Sequence, residues 1–275
     1  MSKKFTVKDW ADATWDEFSQ DDLAGFVAVL PLAATEQHGP HLPLGTDTFI
    51  AEAYLARLRE LAPQTARVLI LPVQPVGIST EHLGFPGTLS LPPDLALRNW
   101  IEIGAGVARA GIRRLVIVTS HGGNSAAMTM VAQELRAHHA MFVVTASWSR
   151  FGTPAGLFSD EELRHGIHGG AVETSIMLAK FPDLVRKDRI ANFASSAAAT
   201  EAHSKWLSIH RPAPYAWVAQ DLNAQGAVGD ATAASAAKGH ALIDFGARAF
   251  SELLDEVAGF DLTSLLSAPA TPKST

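Results

Sequence analysis

Four short stretches of this 275-residue chain bring histidine, carboxylate and glycine together in patterns that could support metal chemistry. They are Glu36-Gln37-His38 with Asp47 soon after, Glu81-His82, His121-Gly122-Gly123-Asn124, and His168 with Glu173. Glu36 and His38 are two residues apart, so on an extended segment their side chains point the same way and could occupy neighbouring positions of one metal cluster. Taken alone, the pair is more simply a solvated loop. Asp47 directly precedes the helical stretch Thr48-Phe49-Ile50, which makes it an expected helix N-cap. Cap and ligand are compatible if one carboxylate oxygen faces the helix and the other a metal. Asn124 poses the same choice, with the cap as the simpler reading. His121 follows an apolar run and precedes two glycines, which let a backbone approach a ligand closely; a hydrogen-bonded histidine under a tight turn is the alternative. Glu173 sits in an apolar helical segment, where a buried carboxylate needs a partner, and an arginine or a backbone donor would also serve. Ser79, Glu81, His82 and Trp148 are candidate substrate-binding residues. Glu81 and His82 could equally support ligands or lie on the surface, and Trp148 could belong to the core.

The rest of the composition narrows the chemistry. There is no cysteine, so disulfides, thiolate nucleophiles and thiolate ligands are all excluded, and a metal site must use nitrogen and oxygen. There is no Gly-x-Ser-x-Gly elbow, and the glycine-rich stretches match neither Gly-x-Gly-x-x-Gly nor a Walker loop. Water activated by a metal is the nucleophile that remains. The net charge of −6, the pI near 6.0 and the lack of a Lys/Arg cluster argue against a nucleic-acid partner.

With 47% hydrophobic and 18% charged residues the chain can bury a substantial core, and residues 1–266 read as a single domain followed by a frayed Pro/Ser/Thr tail, 267–275. The N-terminus lacks the apolar stretch of a signal peptide and no segment suggests a membrane span, so the expected location is cytoplasmic, with no membrane partner. Apolar, β-branched runs at 26–32, 68–76, 115–119 and 141–146 alternate with helical periodicity at 47–61, 93–110 and 124–138, and further helices are expected at 170–180 and 230–257. This rhythm predicts an α/β fold with a mainly parallel central sheet flanked by helices on both faces. The four candidate loops then leave the carboxyl ends of successive strands, where open parallel sheets bind ligands.

Together, Glu36-x-His38-Gly39-Pro40-His41-Leu42-Pro43 with Asp47, Glu81-His82 with Phe85-Pro86-Gly87-Thr88, His121-Gly122-Gly123-Asn124, and His168-x-x-x-x-Glu173-Thr174-Ser175 closely resemble the creatininase (creatinine amidohydrolase) family. The blocks occur in family order over about residues 26–240. The resemblance implies a creatininase-like fold, two divalent metal ions per subunit (zinc first, manganese or iron also suitable), and hydrolysis of a cyclic or non-peptidic C–N amide bond. It also implies a small-molecule amide as substrate and a homo-oligomer, often a hexamer. By motif, Glu36, His38, Asp47 and His121 carry over as metal ligands, with Asp47 bridging, and His168 carries over as a residue acting on the substrate, where it is expected to give a proton to the departing nitrogen. Creatinine hydrolase has His-Tyr-Glu-Asn in place of His121-Gly122-Gly123-Asn124, so the missing carboxylate ligand is assigned to Glu173, which with His168 is also a candidate catalytic residue, as a base. That pattern resembles the branch containing formamide hydrolases and mycofactocin peptide-trimming enzymes. The change, with Arg164 where creatinine hydrolase has tryptophan, argues against creatinine as substrate. The alternatives are trimming of a short peptide, a lyase or isomerase using the same metals, and a non-catalytic metal-binding scaffold of the same fold.

Overall fold

The computed structural model describes residues 7–20, 23–61, 63 and 65–265, so the tail expected to fray at 267–275 lies outside the described residues. Residues 26–32 carry no charged side chain and are buried along their whole length, as a strand covered on both faces requires. They form β2 (Phe26–Leu32) of a five-stranded sheet with β1 (Val7–Asp9), β3 (Arg67–Ile70), β4 (Arg114–Thr119) and β5 (Phe142–Ser147), in the order β1-β3-β2-β4-β5. Every pairing in this sheet is parallel.

Parallel neighbours need crossover helices. Helix α1 (Thr46–Leu61) joins β2 to β3, α2 (Pro93–Arg109) joins β3 to β4, and α3 (Ser125–His139) joins β4 to β5. After β5 come α4 (Asp160–His165), α5 (Ala171–Lys180) and the long α6 (Ala236–Gly259). Strand alternation divides the core between the two faces. Val27, Val29, Val116 and Val118 pack with Tyr54 and Leu58 of α1, Ile176 of α5 and Phe250 of α6. Leu30, Leu115 and Ile117 face the other way, toward Trp100 of α2 and Met128 and Leu135 of α3. Among the described residues no helix is long and apolar enough to cross a membrane.

The observed boundaries refine the sequence reading. β1 adds a short edge strand. β3 stops at Ile70 because Pro72 and Pro75 cannot donate to a ladder, although the chain stays extended enough for Gln74 to bridge Leu32. α6 begins at Ala236, not near residue 230, because Ser235 takes the cap and accepts the Lys238 N–H.

Strand order places the site. The connection from β2 runs to β3 on one side, whereas that from β4 runs to β5 on the other, so the loops diverge and open a crevice between β2 and β4. Leu32 is paired with Thr119, so the two strands end level and their outgoing loops start side by side.

Candidate metal centre

Glu36 and His38 leave β2, Asp47 lies in the first turn of α1, His121 follows β4, and Glu173 lies in the first turn of α5. These five groups meet at the crevice, and all but Glu173 are almost completely buried. His121 Nδ1 is 3.1 Å from Glu36 Oε1 and 3.6 Å from Asp47 Oδ2. His38 Nε2 is 3.6 Å from Asp47 Oδ1, 3.8 Å from Glu173 Oε2 and 3.9 Å from Glu36 Oε1. Most of these separations are too long for hydrogen bonds. They match the spacing of about 3.4 Å expected between two N/O ligands that share one tetrahedral cation.

Two further observations fit a metal. Glu36 Oε1 and Oε2, His38 Nε2 and Asp47 Oδ2 are buried with no hydrogen-bond partner, a costly arrangement for protein groups alone. The outer ring nitrogens are tied to the backbone: His38 Nδ1 is 3.1 Å from the Glu36 carbonyl and His121 Nε2 is 2.8 Å from the Ile78 carbonyl. Donating those N–H groups aims the opposite nitrogen of each ring into the centre, the support that histidine ligands usually have. The donors fall into overlapping triads, Glu36–Asp47–His121 and His38–Asp47–Glu173, each with ligand atoms within 4.8 Å of one another. Asp47 is common to both triads. A third grouping, Glu36–His38–His168, brings in the remaining histidine.

Burial and neighbouring charges pull against one another at these groups. Burial pulls the His38 pKa down, but Asp47, Glu173 and Glu36 reverse this and raise it to about 9. His121 is likewise disfavoured by burial and then raised to about 10, chiefly by Glu36. Burial pushes Glu36 up, yet His121, His168 and His38 hold it well below the ordinary carboxylate range. Burial raises Glu173 to about 7 despite His38, and burial also lifts Asp47, with Glu36 adding to the effect. His168 is driven well below its ordinary value by burial, then by His38 and His82.

His168 stacks between His38 and His82, with ring centroids 4.1 Å away on each side. Its Nε2 lies 2.6 Å from the Gln37 carbonyl and its Nδ1 lies 3.6 Å from Glu36 Oε1. The neutral ring therefore donates Nε2–H to the backbone and presents a bare Nδ1 to the centre. His82 is buried with Nε2 3.5 Å from Glu36 Oε1, and Glu81 Oε1 is 3.5 Å from His121 Nε2. Ser79 is buried with its hydroxyl unpartnered, one residue after the carbonyl that orients His121. Trp148 is not brought to this group: it stacks on Tyr54 at 4.5 Å, meets Phe250 edge-on and belongs to the core. His41, from the same loop as His38, pairs with the Thr174 hydroxyl at 2.9 Å and stacks on Phe193.

Neither expected cap uses its side chain as a cap. Asp47 lies one residue inside α1 with Oδ2 aimed away from any hydrogen-bond partner. Asn124 makes no cap bond; its Oδ1 accepts the Ile78 N–H at 3.0 Å and its Nδ2 donates to the Ala33 carbonyl at 3.1 Å. It thus ties the loop after β4 to the loops carrying Glu36 and Ser79. Two supporting residues carry no signal in the sequence. Gln37 accepts the Gly39 N–H on Oε1, which orients its amide so that Nε2 donates to the Gly226 carbonyl and to His82 Nδ1. A side chain at Gly226, whose φ is +84°, would be strained and would collide with Gln37 Oε1. Glu162 of α4 is buried and accepts the Ala171 N–H at 2.6 Å and the Asp230 N–H at 2.7 Å, which anchors the start of the helix bearing Glu173.

Comparison with known proteins places the chain in a family. The family model for creatininase, creatinine amidohydrolase, matches residues 11–254. A mycofactocin precursor peptide peptidase of Mycobacterium ulcerans (strain Agy99) is 33% identical over 236 residues, covering 83% of this chain and 81% of that one. A creatinine amidohydrolase of Pseudomonas putida is 33% identical over 207 residues, covering 69% of this chain and 77% of that one. A solved creatininase Mn structure superposes with a TM-score of 0.71 at 25% identity, covering 92% of this chain and 99% of that one. The family match spans the whole sheet from β2 onward and every residue of the centre, and the chain belongs to the creatininase family, metal-dependent hydrolases of amide bonds.

Proposed function

We propose that the chain hydrolyses the C–N bond of a small amide, such as a cyclic amide or formamide, at a binuclear centre held by Glu36, His38, Asp47, His121 and Glu173. The observation that carries this reading is the convergence of buried, unpartnered donors at ligand-to-ligand spacing around Asp47. Nitrogen and oxygen donors of this kind accept zinc, manganese or iron, with zinc the first choice. Divalent cations bound there would polarise the amide carbonyl and lower the pKa of the attacking water.

The chain's own residues then supply proton transfer and orientation. Neutral His168 offers Nδ1 as an acceptor, so it can take a proton from water as the C–O bond forms and deliver it to the amide nitrogen as the C–N bond breaks. The Gln37 carbonyl holds the ring in that tautomer throughout. The Gln37 amide also fixes His82, leaving Nε2–H as the donor on the side facing Glu36. Ser79, Glu81 and His82 share the loop after β3 and are the proposed contacts for polar groups of the substrate.

A second reading, trimming of a short peptide, is supported by the peptidase similarity over 83% of the chain. One screen separates the two. Zinc- and manganese-loaded protein would be incubated with lactams, formamides and short peptides, and the products identified by mass spectrometry. Cleavage of a lactam or formamide with peptides untouched supports the first reading, and removal of a terminal residue supports the second. Fully metallated protein that hydrolyses none of them would overturn both.

A further inference from the structure

Three side chains away from the Asp47 centre carry similar chemistry. His165 ends α4, Glu201 lies in the short helix Ala197–Ala202, and His210 follows the strand Leu207–Ser208. One ligand atom from each lies within 4.8 Å of the others, and all three residues are partly buried. Two imidazoles and a carboxylate suit a borderline divalent cation such as zinc.

Their surroundings orient them for it. His210 Nε2 lies 2.7 Å from the Arg164 carbonyl, so it donates there and leaves Nδ1 bare. His165 turns its Nε2 toward Glu201 Oε2 at 3.9 Å, while its Nδ1 is buried with no hydrogen-bond partner. Glu201 Oε1 accepts the Ser208 hydroxyl while Oε2 pairs with Arg164 Nε at 2.7 Å. These backbone and hydroxyl contacts are the outer supports that metal ligands commonly use. Arg164 is the competitor for a cation, but its side chain is 58% exposed against 13% for Glu201. An exposed guanidinium can leave a weak ion pair for solvent.

We propose that His165, Glu201 and His210 form an additional divalent-cation site, separate from the Asp47 centre, which takes a zinc-class ion and clamps the 197–210 segment to the end of α4, just ahead of His168. Because it is partly exposed and must displace Arg164, this site binds more weakly than the Asp47 centre.

The test is zinc titration of the intact protein, read by calorimetry and by elemental analysis after gel filtration. Wild type should bind one zinc more than His210→Ala and one more than His165→Ala, while Asp47→Ala keeps that additional ion. Arg164→Ala should bind it more tightly, since Glu201 is freed. Equal zinc content in wild type and a folded His210→Ala protein overturns the proposal, as does weaker binding of the additional ion in Arg164→Ala. Retention of the ion by Asp47→Ala separates this result from any failure of the binuclear reading.

Discussion

Glu162 offers a prediction whose size can be worked out from its contacts. Its carboxylate accepts two backbone N–H groups, from Ala171 and Asp230, while the residue is only 5% exposed. Hydrogen bonds to a charged group contribute about 1.5–3 kcal/mol each. Glu162→Ala leaves both donors buried and unpaired, so the expected loss is about 3–5 kcal/mol, or roughly 10 °C in Tm for a chain of this size. Glu162→Gln keeps one carbonyl acceptor but turns an NH2 toward the other donor, and about half of that loss is expected. The pH dependence has a definite sign. Burial, the largest influence, raises the Glu162 pKa above its ordinary 4.5. A raised acid pKa means the folded state binds the proton more tightly. Its contribution is therefore greatest below 4.5 and declines as pH rises through the higher folded value. Thermal melts of wild type and Glu162→Gln, compared from neutral pH down to 4.5, should show the gap between them widening. An alanine variant melting within about 2 °C of wild type would refute the anchoring role.

Other expectations concern the centre. Replacing His168 with Ala should leave metal content unchanged and lower turnover by about 10²–10⁴-fold, the usual range for lost acid–base catalysis; loss of metal instead would make His168 a ligand. Changing Asn124 to Ala should cost about 2–4 kcal/mol, because the Ile78 N–H and Ala33 carbonyl both lose their partner, and denaturant melts would show it. His38 and His121, with pKa values raised to about 9 and 10, hold protons at neutral pH, and cations must displace them. Metal affinity should therefore rise with pH up to that range. Calorimetry in buffers of differing ionisation enthalpy would reveal the released protons, and a buffer-independent heat would contradict the assignment.

The strands and crossover helices were legible because hydrophobic periodicity records burial directly: β2 reads as an unbroken apolar run, and α2 as an amphipathic stretch. Glu36, His38 and His121 stood out because charged or ligating side chains immediately follow such runs. What stayed hidden depended on contacts between distant segments. Val7–Asp9 is too short to show a period, so β1 went unseen. Asn124 stands where a cap belongs, yet it bonds to Ile78 and Ala33, residues that only the sheet order brings to it. Glu162 looks like one more acidic residue in the run Asp160-Glu161-Glu162, and only the return of the chain at Asp230 makes it an internal anchor. Trp148 directly follows a strand, as His121 nearly does, but β5 is the sheet edge, and the indole turns into the layer between Tyr54 and Phe250.

The claim on which the rest depends is that Asp47 is shared by two cations. Elemental analysis of protein purified without chelator and saturated with zinc or manganese tests it most directly, comparing wild type with Asp47→Ala. Wild type should hold two tight equivalents that Asp47→Ala lacks, apart from the weaker ion at His165, Glu201 and His210, which both proteins keep. A folded Asp47→Ala protein that keeps both ions, or a wild type that takes up none, would contradict it.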